Sequence, residues 1–156
     1  MSETPAPNPH FVQAASWEEA RTHVDFSPRI PSFTDGKQLA SLAIFVRDHK
    51  MREVSRSERS LEAHYGSFAV AQSMHGAAES RRLTLEVKYG LIPVEVTVAG
   101  REGRAYDRRP PAEPDGPEGG APAVVVWADE AMLYMVASDE LELPTVMRIA
   151  ESLYVQ

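Results

Sequence analysis

The sequence predicts an α+β domain: a mainly antiparallel sheet of six to eight strands, a short N-terminal helix and a C-terminal helix packed on the sheet. Three observations carry that expectation. Between Leu39 and Val98 the apolar residues fall in short alternating runs, the period of a half-buried strand. The links between those runs are short, which favours antiparallel neighbours over parallel strands joined by crossovers. Finally, VVVWADEAMLYMVAS (124–138) holds two greasy runs around a polar turn, and LPTVMRIAESLY (143–154) follows it with helical periodicity.

Taken in order, residues 1–9 (MSETPAPNP) carry three prolines and no periodicity and read as a disordered tail ahead of a single domain over 10–156. In SWEEARTHVDF, Ser16 and Glu19 form a capping box, the carboxylate reaching back to the backbone N–H of Ser16. A short helix is expected there, with Trp17, Ala20 and Val24 on its apolar face and Pro28 with Pro31 as its stop. LASLAIFVRD (39–48) reads as a largely buried strand, and SLEAHY with FAVAQS as a hairpin across Gly66-Ser67. RLTLEVKY (82–89) alternates cleanly, with Leu83, Leu85, Val87 and Tyr89 on one face, and VEVTV (94–98) should turn Val94, Val96 and Val98 inward.

Residues 109–122, RPPAEPDGPEGGAP, contain five prolines and three glycines, so they form a surface loop rather than a helix or central strand. Beyond it, Val124–Trp127 and Met132–Ala137 are two strands joined at Asp129-Glu130. Both faces of the second strand are apolar, which requires a cover on each. The closing helix supplies one: Pro144 suits its first turn, and Val146, Ile149, Ala150 and Leu153 recur at i, i+3, i+4 and i+7. The opening stretch is therefore a core hairpin sealed by a helix.

A chain of 156 residues with 43% apolar and 25% charged residues suits one independently folding domain. It contains no cysteine, which rules out disulfides, thiolate metal sites and cysteine nucleophiles. No basic-then-apolar leader opens it and no apolar run approaches 18 residues, so a cytoplasmic location without a membrane span is expected. The net charge of −7 is uneven: residues 1–111 hold 15 Lys/Arg against 14 Asp/Glu, and residues 112–156 hold one against nine. Phosphate binding draws on clustered positive charge, so no nucleic-acid partner is expected.

Signals for chemistry are weak. The five histidines form no two-His helical pair, so no metal is expected. There is no Gly-x-Ser-x-Gly elbow, and Gly100–Gly103 lacks the spacing of a phosphate loop, so no catalytic residue and no cofactor is assigned. Two basic clusters remain. VRDHKMREVSRSER (46–59) interleaves arginines with acids, and GREGRAYDRR (100–109) gathers Arg101, Arg104, Arg108 and Arg109 around Tyr106. Cross-strand ion pairs on a wet face account for such clusters. The sharper alternative is an anion or partner site at Arg101, Arg104, Tyr106 and Arg108, because arginine forks suit carboxylates and phosphates. Under that alternative, reversing Arg101 and Arg104 to Glu abolishes partner capture at an unchanged melting temperature.

The closing portion resembles the C-terminal, extracytoplasmic domain of bacterial anti-sigma factors. Trp127 ends a strand, Tyr134 lies in the next, Ser138 stands at a corner, and Ile149-Ala150-Glu151-Ser152-Leu153 closes the final helix in the same order. The likeness covers about residues 39–154, and it departs from those membrane regulators in lacking their transmembrane helix and His/Cys domain. It implies a lipoprotein-carrier-like architecture, a curved antiparallel sheet with helices on its concave side and an apolar pocket between them. The function expected is a non-enzymatic sensing or protein-interaction module of a bacterial regulatory type. One alternative is a carrier holding an apolar or lipid-like ligand between sheet and helices. Another is an enzyme whose site has no sequence signature. The partner is thus a protein or an apolar ligand, and the sequence assigns no oligomeric state.

Overall fold

The structure, a computed structural model, describes residues 8–74, 86, 90–109 and 120–155. Its strands are β1 (Phe11–Ala14), β2 (Ser41–Phe45), β3 (Ser60–His64), β4 (Ala69–Ser73), β5 (Val94–Val98), β6 (Arg101–Tyr106), β7 (Ala123–Asp129) and β8 (Met132–Ser138). Helix α1 (Trp17–Arg21) follows β1, and α2 (Leu143–Ser152) follows β8. All eight strands join one curved, open antiparallel sheet in the order β1-β2-β3-β4-β8-β7-β6-β5. Two four-stranded meanders, β1–β4 and β5–β8, thus meet at the β4–β8 seam, where Val70 faces Val136.

Alternation assigns the faces. On the inner face Leu42, Leu61, Val70, Val125, Val136 and Trp127 belong to one buried cluster, which Ala20 and Val24 near α1 and Val146, Ile149, Ala150 and Leu153 from α2 complete. Trp127 and Ile149 are 2% and 0% exposed, so the final helix seals the β7–β8 hairpin as its periodicity predicts. The outer face of the same hairpin buries a second, smaller cluster of Tyr106, Val124, Val126 and Met135. The two-sided apolar pattern of 124–138 answers to these two clusters.

Between α1 and β2 the chain crosses the inner face, where Phe26 and Phe33 pack against the core. The buried Gln72 of β4 accepts from the Arg29 N–H at 2.7 Å and donates to the Arg29 carbonyl at 2.7 Å, so its amide substitutes for a neighbouring strand. The Ser32 hydroxyl donates to the Ser152 carbonyl at the end of α2.

Several local expectations change in detail. The Ser16 hydroxyl accepts from the Glu19 N–H at 3.1 Å, but the Glu19 carboxylate takes the N–H of Ala15 rather than that of Ser16. Helix α1 ends at Arg21, well before Pro28; the Thr22 hydroxyl closes it by donating to the Glu19 carbonyl. Strand β1 has no strong alternation and was not expected; pairing with β2 and the edge-on contact of Phe11 with Phe45 hold it in place. Val94 is exposed and Val96 half-buried, because β5 lies at the sheet edge and only Val98 is fully covered. The strand expected over 82–89 lies outside the described residues except for Glu86, whose backbone is helical. The expected hairpin across Gly66-Ser67 is present: His64 faces Ala69, and Gly66 takes a φ of 87° that suits glycine.

Candidate functional site

The four residues singled out in 100–109 do not form one patch. Alternation along β6 sends Arg101, Gly103 and Ala105 to the inner face and Arg104 and Tyr106 to the outer face. On the outer face Glu86 accepts from both Arg104 (3.2 Å) and the hydroxyl of the buried Tyr106 (3.1 Å). Arg108, beyond the strand, forks onto the Glu142 carboxylate at 2.9 and 3.2 Å and donates to the Asp139 carbonyl, fixing the corner that leads into α2. Arg104 and Arg108 therefore each have an acidic partner within the chain.

Arg101 belongs to a different cluster, gathered at Asp129. The Asp129 carboxylate receives Arg101 Nε at 2.9 Å and the Tyr154 hydroxyl at 3.1 Å, and Arg29 lies 3.9 Å away. Trp127 Nε1 donates to the Tyr154 hydroxyl at 2.8 Å, and Arg29 Nε to the Tyr134 hydroxyl at 3.2 Å. The guanidiniums of Arg29 and Arg101 both lie against the Tyr154 ring, 4.4 and 4.0 Å from its centre. Burial, together with the bond to Asp129, pushes the Tyr154 hydroxyl above its ordinary pKa, while the Trp127 bond opposes the shift. This assembly fastens the segment after α2 to the end of β7. Replacing Arg101 with Glu would set a second carboxylate against Asp129, so that reversal probes the fold and not only partner capture. Sequence reasoning missed Arg29, Asp129 and Tyr154, because no local pattern links positions so far apart.

Of the arginines in 46–59, Arg56 and Arg59 likewise bind other segments of the chain, whereas the exposed Arg52 pairs locally with Asp48. Arg56 donates to the carbonyls of Thr22 and Val24 and pairs with Asp25 at 3.0 Å. The buried Arg59 donates to His23, Val54 and Glu53. Arg56 and Arg59 thus staple the segment after α1 to the approach to β3.

Surface remains at the β5 edge. A recess of about 790 Å³ is lined by β5, β6, β7 and β8, with Arg104, Glu95 and Glu102 beside Val126 and Leu133 on the outer face, and it also takes in the inner-face residues Trp127 and Met147. Strand β5 borders it, and Ile92 and Val94 are 84% and 55% exposed. Gly103 shapes its floor: a Cβ there would lie 2.8 Å from the Val126 carbonyl oxygen and 2.9 Å from Trp127 Cβ. Among the described residues no strand pairs with the side of β5 away from β6, and exposed apolar side chains and mixed charge lie beside it.

Among the described residues no group of three or more His, Asp or Glu is placed to hold a metal, and no helix is long and apolar enough to cross a membrane. His64 lies 3.4 Å from the Glu62 carboxylate, and His75 lies outside the described residues. No family model, no curated protein and no solved structure matches this chain.

Proposed function

We propose that this chain is a non-enzymatic protein-interaction module of regulatory type that engages its partner through the β5 edge and the recess beside it. The observation that carries the reading is the exposure of Ile92 and Val94 at a sheet edge next to a recess of mixed charge and apolar surface. An unprotected edge strand is a template for another chain, and its backbone supplies affinity while the neighbouring side chains supply choice. The likeness of 39–154 to the anti-sigma C-terminal domain supports a regulatory partner; the His/Cys element that holds the sigma factor in those proteins has no counterpart in a chain without cysteine, so sigma binding is not carried over.

The test is affinity capture from the native host on immobilised wild-type chain and on Val94→Lys, whose side chain is already exposed. A bound protein should fall roughly tenfold or more with the variant, as edge charges block strand addition, while the melting temperature stays within about 2 °C. Equal retention by both chains would end the reading. A carrier is the second reading, favoured by Val96, Trp127 and Met147 meeting in the recess. Native mass spectrometry separates the two, since co-purified lipid supports the carrier and a repeatedly empty chain counts against it.

A further inference from the structure

Antiparallel pairing alternates residues that bond to one neighbour with residues that bond to the other. In the β5–β6 hairpin the two-residue turn Ala99-Gly100 is closed by Val98 and Arg101, so Val98, Val96 and Val94 bond across to β6. The backbone groups of Glu95 and Thr97 then point away from β6, to the side where no described strand pairs with β5. Both side chains are exposed on the outer face. An approaching strand would therefore meet the backbone of Glu95 and Thr97.

We propose that this strand is β5 of a second copy, paired antiparallel about a two-fold axis at Val96, so that Glu95 of each copy faces Thr97 of the other. The inference rests on the interaction reading above and names its partner. A two-fold interface must complement itself, and VEVTV reads as V-x-V-x-V from either end, so its valines meet valines on the inner face. In this register both outward-facing residues of each copy are bonded. It also separates like charges. Glu95 lies beside Arg104 of its own chain and Thr97 beside Glu102, so each outer row runs Arg104, Glu95, then Thr97 and Glu102 of the second copy. Centring the axis on Glu95 instead would set two carboxylates face to face. The same register brings the exposed Ile92 alongside Gly100 of the second copy, giving that side chain an apolar contact at the hairpin turn. The recess of one copy then continues onto the outer face of the other.

The test is sedimentation velocity of the full chain over a wide concentration range, with two surface variants. The wild type should form a concentration-dependent dimer. Thr97→Lys sets an ammonium against Glu95 of the other copy twice per dimer and should tighten it roughly fivefold. Adding Glu95→Lys makes both pairs repulsive and should weaken the dimer below the wild type. Circular dichroism checks that each variant folds. A chain monomeric throughout, or a dimer indifferent to both variants, overturns the self-pairing. A monomer that still captures another protein in a Val94-dependent way overturns it while leaving the interaction reading intact, so the two failures are distinguishable.

Discussion

At Gly103 the absence of a side chain lets β6 and β7 close up beneath Trp127. The distances of 2.8 and 2.9 Å to an added Cβ are shorter than a real contact allows, and both neighbours are backbone or backbone-proximal atoms with little room to move. Gly103→Ala should therefore lower stability by about 1–3 kcal/mol, the range for overpacking. A denaturant midpoint unchanged from the wild type would contradict the packing described. In the sequence this glycine sits in GREGR, whose spacing fits no phosphate loop, and nothing local marks it as a packing position. Its role is legible only once the register Gly103↔Trp127 is known. The same holds for Arg101, whose partners Asp129 and Tyr154 are 28 and 53 residues away.

Among the described elements, the inner hairpins and the last helix were legible from local periodicity and those defined by a partner were not. The cleanest alternation, over 82–89, lies outside the described residues except at the helical Glu86. The β7–β8 hairpin and α2 follow from their own apolar spacing, and the β3–β4 turn follows from Gly66. Strand β1 lacks such a signal and exists because β2 offers it an edge. Helix α1 is only five residues long, too short to persist on propensity alone, and it depends on groups brought from elsewhere. Arg56 and Arg59 provide them, taking up the carbonyls of Thr22, His23 and Val24 where the helix ends. Arg59→Ala leaves the part-buried His23 and Val54 carbonyls without this donor and should cost about 2 kcal/mol, a fall in melting temperature of roughly 4–8 °C. Hydrogen exchange should then quicken first around residues 17–25. Loss of protection spread evenly over the sheet would assign Arg59 no special part in holding α1.

For the whole molecule, alkali offers a test of the core. Burial pushes the Tyr65 hydroxyl up to about 12, and its ring stacks on Phe68 with centres 4.8 Å apart. Below the ordinary tyrosine value of 10 both folded and unfolded states hold the proton, so the full contribution of this group to stability is present. Above 10 the unfolded state releases its proton while the folded state keeps it, and stability falls until the folded group also ionises near 12. Tyr154 shifts in the same direction and adds to the loss. Denaturant midpoints measured from pH 9 upward should decline through this window, and Tyr65→Phe should make the decline shallower. A slope equal to that of the wild type would show that Tyr65 ionises alike in both states.

The bridge between Arg109 and Ala121, with N–H···O distances of 2.9 and 2.7 Å in the two directions, joins the chain on either side of 110–119. Whatever lies between those anchors starts and finishes at one fixed point, so its length is uncoupled from the strands that flank it. An epitope or a small fluorescent domain spliced there should leave the melting temperature near that of the parent, making this the natural position for a reporter.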